Sequence, residues 1–73
     1  MVVHDYFVQV ERLTEADGGG LLGRVPDLPG CMSDGDDLEG LEANVADAIE
    51  TWINAAHRLG REVPSPKLQA RRA

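Results

Sequence analysis

Carboxylates are the side chains of this sequence that could do metal chemistry. Phosphodiester hydrolysis commonly uses several carboxylates that converge on two divalent ions about 4 Å apart, and the candidates are Asp5, Asp27, Asp34, Asp36 and Asp37. Neither long predicted strand carries an acid whose neighbours indicate a buried cluster. Carboxylates just before a helix have a structural role as caps. The sequence therefore does not favour a metal-dependent nuclease, and we expect no cofactor.

Two histidines and one cysteine are the other candidates for chemistry. His57 falls on the polar side of a predicted helix, near its C-terminal end, where the helix dipole favours a solvated histidine; contact with a partner is the alternative. His4 lies near the N-terminus, where we expect it to be solvated as well. Cys31 follows a turn and has no histidine close in sequence, which indicates a buried or half-buried side chain rather than a nucleophile.

The acidic residues are concentrated in the first part of the chain. The net charge is −6; residues 1–57 hold twelve Asp or Glu and two Arg, a balance of −10, and residues 58–73 hold five basic residues and one Glu, a balance of +4. An acidic body repels phosphate backbones and so disfavours nucleic-acid binding. It attracts a basic partner and accelerates the encounter. The alternative interpretation is an acidic surface that only keeps a small protein in solution.

One long strand is predicted at the N-terminal end. Residues 6–13 are rich in the aromatic and β-branched types that pack on a pleated surface. Tyr6, Val8 and Val10 should share one face of this strand, because successive side chains alternate. Val2 and Val3 could extend it.

A hairpin and a third strand should follow. Residues 14–20 are polar and end in three glycines, which predicts a loop, and residues 21–25 form the second strand. Gly23 in the middle of that strand leaves room for another element to approach the sheet closely. Residues 31–33 could add a short third strand.

A turn rich in proline separates the second and third strands. Pro26 and Pro29 fix φ and lack a backbone N–H, so this peptide cannot be central strand or helix. Pro29 and Gly30 suit the central positions of a type II turn, and Asp27 could accept backbone amides that fix the loop. We assign structural turn roles to Pro26, Asp27, Leu28, Pro29, Gly30 and Gly35.

A long amphipathic helix gives the clearest secondary-structure signal. Apolar residues from Leu38 to Leu59 fall on one arc of about 100° when plotted on a helix. Asp37 is the predicted N-cap, and Gly60 is the predicted stop. Trp52 lies in the middle of the apolar side, so it packs either in the core or on a shared oligomer surface. The packing candidates are Tyr6, Leu41, Ile49 and Trp52.

The fold class follows from the order of these elements. We expect an α+β domain over residues 1–66, in which a small antiparallel sheet of three to four strands carries one long helix, in the order β-β-β-α-β. Residues 61–63 could form the last strand. Residues 67–73 are predicted to be a short, basic, flexible tail.

Size and composition limit the cellular setting. A chain of 73 residues with a single cysteine forms no internal disulfide, so stability could come from self-association. A lone cysteine fits a reducing compartment. The sequence shows neither a signal peptide nor an apolar stretch near the ~20 residues that a membrane span needs. We therefore expect a cytoplasmic protein.

The order of elements and several motifs together resemble the HicB-type antitoxin family. The resemblance covers residues 6–66 and is strongest in the block from Gly23 to Cys31, which is followed at the right spacing by Gly35, Asp36 and Asp37. It continues through the helix and ends in the Val63–Pro66 exit. The helix positions that carry it are Leu41, Asn44, Ala48, Ile49 and Trp52.

The resemblance implies a fold, a partner and an activity. It implies a partial ribonuclease-H-like fold and a small, basic, mRNA-cleaving toxin of the HicA type, which the antitoxin binds and neutralises without being an enzyme. It also implies dimers or tetramers. Many family members carry a C-terminal DNA-binding domain, but only seven residues follow Pro66, so we do not expect direct DNA binding.

The resemblance makes the acidic residues the candidate contacts with the toxin. Carboxylates can occupy the positions on a basic protein that RNA phosphates would otherwise fill. A solvated face without a partner remains the alternative for these residues. The alternatives for the whole chain are a self-assembling module without a toxin and a weak metal-dependent nuclease. The candidate toxin contacts are Asp34, Asp36, Asp37, Glu39, Asp47 and Glu50.

Overall fold

The computed structural model describes residues 1–66 as two small antiparallel sheets and one long helix, which confirms the predicted α+β class. None of the helical segments in this part of the chain combines the length and the apolar composition that a membrane span requires. The elements are β1 (Val2–Val3), β2 (Tyr6–Phe7), β3 (Gln9–Arg12), β4 (Leu21–Arg24), β5 (Met32–Gly35) and α1 (Leu38–Arg58).

The N-terminal residues fold back on the first predicted strand instead of extending it. Strand β1 pairs with β2 in antiparallel register, with Val3 opposite Tyr6. His4 and Asp5 form the two-residue turn between them, with φ of 50° and 67°. Positive φ at both central residues is what a tight type I′ hairpin turn requires. The suggestion that Val2 and Val3 extend the strand was therefore wrong, because this turn reverses the chain.

Strands β3, β4 and β5 form an antiparallel meander in that order. The loop between β3 and β4 is closed by a bond of 2.9 Å from the Leu13 amide to the Gly20 carbonyl. It contains a 3₁₀ turn at Glu15–Asp17, which Thr14 caps by accepting from the amide of Asp17. The predicted hairpin is confirmed; the 3₁₀ turn inside its loop was not predicted.

The proline-rich loop between β4 and β5 consists of two successive turns. The Leu28 amide donates to the Val25 carbonyl at 3.1 Å, and the Cys31 amide donates to the Leu28 carbonyl at 2.9 Å. Gly30 has φ of 83°, so the predicted type II turn at Pro29–Gly30 is confirmed. Leu28, where the two turns meet, is fully buried. The loop is thus anchored in the core through its apex.

Helix α1 begins and ends with the predicted signals. The Asp37 carboxylate accepts a hydrogen bond of 2.8 Å from the Gly40 amide, which makes Asp37 the N-cap. At the other end the amides of Gly60 and Arg61 donate to the carbonyls of His57 and Ala56, and Gly60 has φ of 70°. These two bonds define a Schellman motif. The helix ends one residue before the predicted Leu59.

Glycines in two strands allow the helix to lie close to the sheet. A Cβ on Gly23 would lie 3.0 Å from Val45 and 3.1 Å from Val8, so the predicted close approach at Gly23 is confirmed. A Cβ on Gly35 would overlap the backbone of the first helical turn, at 2.8 Å from the carbonyl carbon of Gly40. The helix covers β4 and β5 rather than β3. Val10 therefore shares the face of Val8 but is 38% exposed.

The core lies between the helix and this part of the sheet. Leu38 and Leu59, at the two ends of the apolar stripe of the helix, are exposed. Trp52 is half-buried and packs against the edge of the core. The buried cluster consists of Val3, Tyr6, Val8, Val25, Leu28, Cys31, Leu41, Val45 and Ile49.

The last predicted strand is absent from the described part of the chain. Residues 61–66 follow the helix without strand pairing, and a side chain holds them instead: the Tyr6 hydroxyl donates a hydrogen bond of 2.6 Å to the Pro64 carbonyl. Pro64 and Pro66 lack the N–H that a ladder needs, which explains why the strand prediction was wrong. The predicted tail, residues 67–73, lies outside the described residues.

Candidate functional site

The carboxylates that precede the helix lie together at one end of the molecule. Asp34, Asp36 and Asp37 line a shallow polar depression, where the end of β5 meets the first turn of α1 and the Gly18–Gly19 loop. We call this surface the acidic depression; its lining residues are Gly18, Gly19, Asp34, Gly35, Asp36, Asp37, Gly40 and Asn44. All three aspartates are exposed, so they can meet a partner without a conformational change.

Local backbone packing positions these aspartates. Strand β5 ends at Gly35, whose lack of a side chain lets the helix start directly against it. Asn44, one turn and a half into the helix, donates a hydrogen bond of 2.7 Å to the carbonyl of Asp34. This bond ties the outer edge of β5 to the helix. The resemblance singled out Asn44, but its role as a strand–helix tie was not predicted from the sequence.

The carboxylate of Asp37 already has a structural role. It accepts from the Gly40 amide and lies at the positive end of the helix dipole. The depression thus contains one carboxylate committed to the cap and two, Asp34 and Asp36, that also point to solvent. Within residues 1–66 no group of three or more His, Cys, Asp or Glu side chains is arranged to hold a metal ion. Asp5 and Asp27 lie elsewhere, in the N-terminal turn and the proline-rich loop.

The remaining acidic candidates lie along the exposed side of the helix and form a second group. Glu39, in the first turn, and Glu50 share one side of α1, because about three full turns separate them. Asp47 points outward between them and is exposed. The carboxylate of Glu50 pairs with His4 at 3.3 Å. The six candidates therefore form a band from the acidic depression to the N-terminal hairpin, not one compact cluster.

Trp52 connects the proline-rich loop to the helix. Its indole N–H donates a hydrogen bond of 2.9 Å to the Pro29 carbonyl. Beside this bond, an apolar groove runs along the end of the helix to Pro64 and Leu59. Sequence reasoning placed Trp52 on the apolar side but missed this bond; the available signal was that a partly buried indole N–H usually finds an acceptor.

The buried polar groups of the core are stabilised in their neutral forms. Burial, and secondly the negative charge of Asp27, raise the pKa of the Tyr6 hydroxyl above its ordinary value of 10.0. Burial also raises the pKa of the Cys31 thiol above 9.0. A thiol with a raised pKa is a poor nucleophile, and Cys31 is only 5% exposed. His57 is exposed in the last helical turn.

The fold and the exposed groups together define an acidic two-layer α+β domain whose charged side chains form a band around one helix. The family comparison agrees with this description: the model of the family described as HicB-like antitoxin of bacterial toxin–antitoxin systems matches residues 6–72. The chain belongs to this family of antitoxins. No curated protein and no solved structure gave a significant match.

Proposed function

We propose that the chain neutralises a small, basic, mRNA-cleaving toxin of the HicA type by binding it directly, and that it does so in the cytoplasm without catalysing a reaction. Membership of an antitoxin family supports a toxin as the partner. The band of exposed carboxylates from Asp36 to Glu50 is the observation that carries the proposal, because it is the feature of this surface that complements a cationic protein.

The proposed mechanism is occupation of the toxin's RNA-binding surface. A protein that cleaves RNA presents Lys and Arg side chains to phosphates. The carboxylates of the acidic depression and of the helix can form charge-assisted hydrogen bonds with the same side chains. RNA is then excluded both because its contacts are taken and because the bound antitoxin is itself negatively charged.

The rigid start of the helix supports this mechanism. The Asp37 carboxylate is held by the cap bond, and the backbone just before it is held by the Asn44–Asp34 bond and by the contact at Gly35. A charged surface that is already ordered loses little conformational entropy when it binds. Electrostatic attraction should also make association fast at low ionic strength, and screening over about 10 Å at 0.1 M salt should slow it.

Inhibition of RNA cleavage tests the proposal. The probe is the purified product of a neighbouring reading frame that encodes a short basic protein with RNase activity. A stoichiometric amount of this chain should abolish cleavage of an mRNA substrate. Persistent cleavage at a tenfold molar excess, or cleavage of the mRNA by this chain alone with Mg²⁺, would contradict the proposal; the latter result would support the nuclease alternative.

A further inference from the structure

The outer edge of β3 has unpaired backbone groups. The Leu13 amide donates to the Gly20 carbonyl, and the residues of an antiparallel strand alternate between those that bond to the partner strand and those that point away from it. With the observed register, the N–H and C=O of Val10 and Arg12 therefore point away from β4. No backbone hydrogen bond within residues 1–66 uses these groups. We call the outward groups of Val10 and Arg12 the β3 edge.

The residue before β3 shows what this edge accepts. The Val8 amide donates to the Met1 carbonyl at 2.8 Å, and the Met1 ammonium group donates to the Val8 carbonyl at 3.3 Å. The outward groups of Val8 are thus taken by the residue that leads into β1. The N-terminal strand of the chain itself fills this part of the edge, and the β3 edge is its open continuation at the same spacing.

The other edge of the sheet, along β5, is protected. The Val25 amide donates to the Cys31 carbonyl, so Met32 and Asp34 are the residues of β5 whose backbone groups point outward. The Asn44 side chain donates to the Asp34 carbonyl at 2.7 Å and so places α1 against this edge. Proteins commonly protect sheet edges, because unpaired backbone groups can pair with another strand. The β3 edge lacks such protection by the helix.

The helix leaves space for an added strand beside β3. Helix α1 packs on β4 and β5 rather than on β3, and Val10 is 38% exposed although it lies on the helix side of the sheet. Because Asn44 ties one flank of α1 to β5, the other flank, with Glu42 and Ala46, is turned toward β3. An extended chain fits this space, since it presents N–H and C=O groups at the spacing of the β3 edge.

The charges around the β3 edge indicate a cationic segment. At one end Arg12 lines a shallow depression together with Asp36 and Asp37. Glu42 is exposed on the flank of the helix, and Glu50 lies at the other end, beside the N-terminal hairpin. Four carboxylates therefore surround one arginine on the helix side of this edge, and the edge runs along the acidic band described above.

The opposite face of the sheet adds little charge selection. Glu11 faces that side and already pairs with Arg24 at 3.4 Å. Successive side chains of a strand alternate between the two faces. An added strand would therefore carry Lys or Arg at every second position, on the helix side, and neutral residues between them.

We propose that the toxin adds an extended segment to the β3 edge, pairing with the backbone of Val10 and Arg12 and placing cationic side chains against Glu42 and the acidic band. This inference rests on the proposed function, because the partner is the same toxin. It adds a contact that fixes orientation. Carboxylates attract cationic proteins in general, whereas a sheet edge accepts only an extended segment.

Amide hydrogen exchange of the full chain tests the pairing directly. The probe is the purified basic RNase encoded by the neighbouring reading frame. In the free chain the amides of Val10 and Arg12 should exchange fast, and the amide of Glu11, which points to β4, should exchange slowly. In the complex the exchange of Val10 and Arg12 should slow by about tenfold or more.

A proline variant tests whether the outward N–H itself contributes. Val10→Pro removes this group without touching the ladder to β4, and proline is tolerated at edge positions whose N–H faces solvent. The dissociation constant for the toxin should rise about tenfold. Met32→Pro makes the same change at an outward position of β5 and is the matched control, with wild-type affinity expected. Circular dichroism checks the fold, and Arg12→Pro replaces Val10→Pro if that variant unfolds.

The outcomes separate this inference from the proposed function. If the chain abolishes RNA cleavage but the toxin neither protects the amides of Val10 and Arg12 nor binds Val10→Pro more weakly than wild type, strand addition is wrong and the proposed function stands. Equal weakening by Val10→Pro and Met32→Pro would also overturn the assignment to β3. A chain that does not inhibit RNA cleavage would overturn both.

Discussion

The indole N–H of Trp52 donates a hydrogen bond of 2.9 Å to the carbonyl of Pro29. This bond joins the middle of the helix to the type II turn of the proline-rich loop, which is also anchored from below by the fully buried Leu28. The loop is therefore held on two sides, by the Trp52 bond from the helix and by Leu28 from the core. The turn is a structural element that fixes the position of the helix.

Removal of this bond should cost a modest, measurable part of the stability. Trp52→Phe keeps an aromatic ring but removes the donor, so we expect the free energy of unfolding to fall by about 1 kcal/mol for the hydrogen bond, with a further loss from the smaller ring. Urea denaturation measures the change. Leu59→Ala removes an exposed side chain and serves as the control, with little effect expected. Equal losses in the two variants would show that the bond contributes nothing.

Gly35 should be intolerant of any side chain. In Gly35→Ala the new methyl group would meet the backbone of Gly40 and Leu41, and a helix backbone cannot move aside as a flexible side chain can. We expect the free energy of unfolding to fall by about 1–3 kcal/mol or more, as is typical of overpacking. Thermal and urea unfolding measure this loss.

Gly40→Ala provides the matched control, because it adds the same methyl group at a nearby glycine in the first turn of the helix. Its Cβ would meet only the Asp37 carboxylate, at 3.2 Å, and alanine gains up to about 1 kcal/mol over glycine inside a helix. The two effects oppose each other, so we expect a small net change. A Gly35→Ala variant as stable as Gly40→Ala would contradict the close contact at Gly35.

The Tyr6 hydroxyl should make the free energy of unfolding fall at alkaline pH. Its pKa in the folded state is raised above the unfolded value of 10.0, so the hydroxyl contributes its full stabilisation below pH 10. That contribution is lost as pH rises through the folded pKa. Tyr6→Phe lacks both the bond to Pro64 and this titration. We expect it to be less stable than wild type at pH 8 by about 1 kcal/mol.

Comparing wild type with Tyr6→Phe across the pH range separates the titration of Tyr6 from that of Cys31. Burial also raises the pKa of the Cys31 thiol above 9.0, so both proteins should begin to lose stability above pH 9. Only wild type should lose further stability above pH 10. The difference in unfolding free energy between wild type and Tyr6→Phe should therefore become smaller as pH rises. Urea midpoints measured from pH 7 to pH 11 give this difference; a gap that widens with pH would contradict the assignment.

Local signals predicted the helix and the turns because each depends on a few neighbouring residues. Asp37 caps the helix, Gly60 ends it, and Gly30 supplies the positive φ of the type II turn. The hairpin at His4–Asp5 was missed, because neither residue is a glycine; histidine and aspartate adopt positive φ more often than most residues, but this is a weak signal. The strand expected at residues 61–63 did not form, because Pro64 and Pro66 directly after it lack the N–H that a ladder needs.

The candidate site was only partly predictable for a related reason. The acidic residues were evident from the sequence, and the capping role of Asp37 follows from its position. Whether the carboxylates form one cluster depends on how β5 meets the helix, and the Asn44–Asp34 and His4–Glu50 contacts join elements that are distant in sequence. Composition cannot reveal such pairs. It likewise gave no indication of which side chains lie on the face of the sheet opposite the helix, because that depends on the register of the strands.

The two roles of Asp37, as a helix cap and as a candidate toxin contact, can be separated by substitution. Asp37→Asn keeps an oxygen that can accept from the Gly40 amide, so it should preserve most of the helix stability, whereas Asp37→Ala should lose about 0.5–2 kcal/mol. Both variants remove the negative charge. Under the proposed function both should bind a basic toxin more slowly, and only Asp37→Ala should also unfold more easily. Equal toxin association rates for wild type and Asp37→Asn would remove Asp37 from the contact surface.

Charge reversal on the helix should show whether the toxin binds the helix side or the face of the sheet opposite the helix. Asp47→Lys changes an exposed residue on the outward side of the helix, and Glu11→Lys makes the same charge change on the opposite face of the molecule. Both alter the net charge equally, so general attraction to a cationic partner should fall to a similar extent. A specific contact predicts more: Asp47→Lys should also raise the dissociation rate, because it places a cation against the toxin's own cations. Surface plasmon resonance at several salt concentrations measures both rates. Dissociation that responds to Glu11→Lys but not to Asp47→Lys would place the toxin on the sheet and would leave the acidic helix as a solvated face.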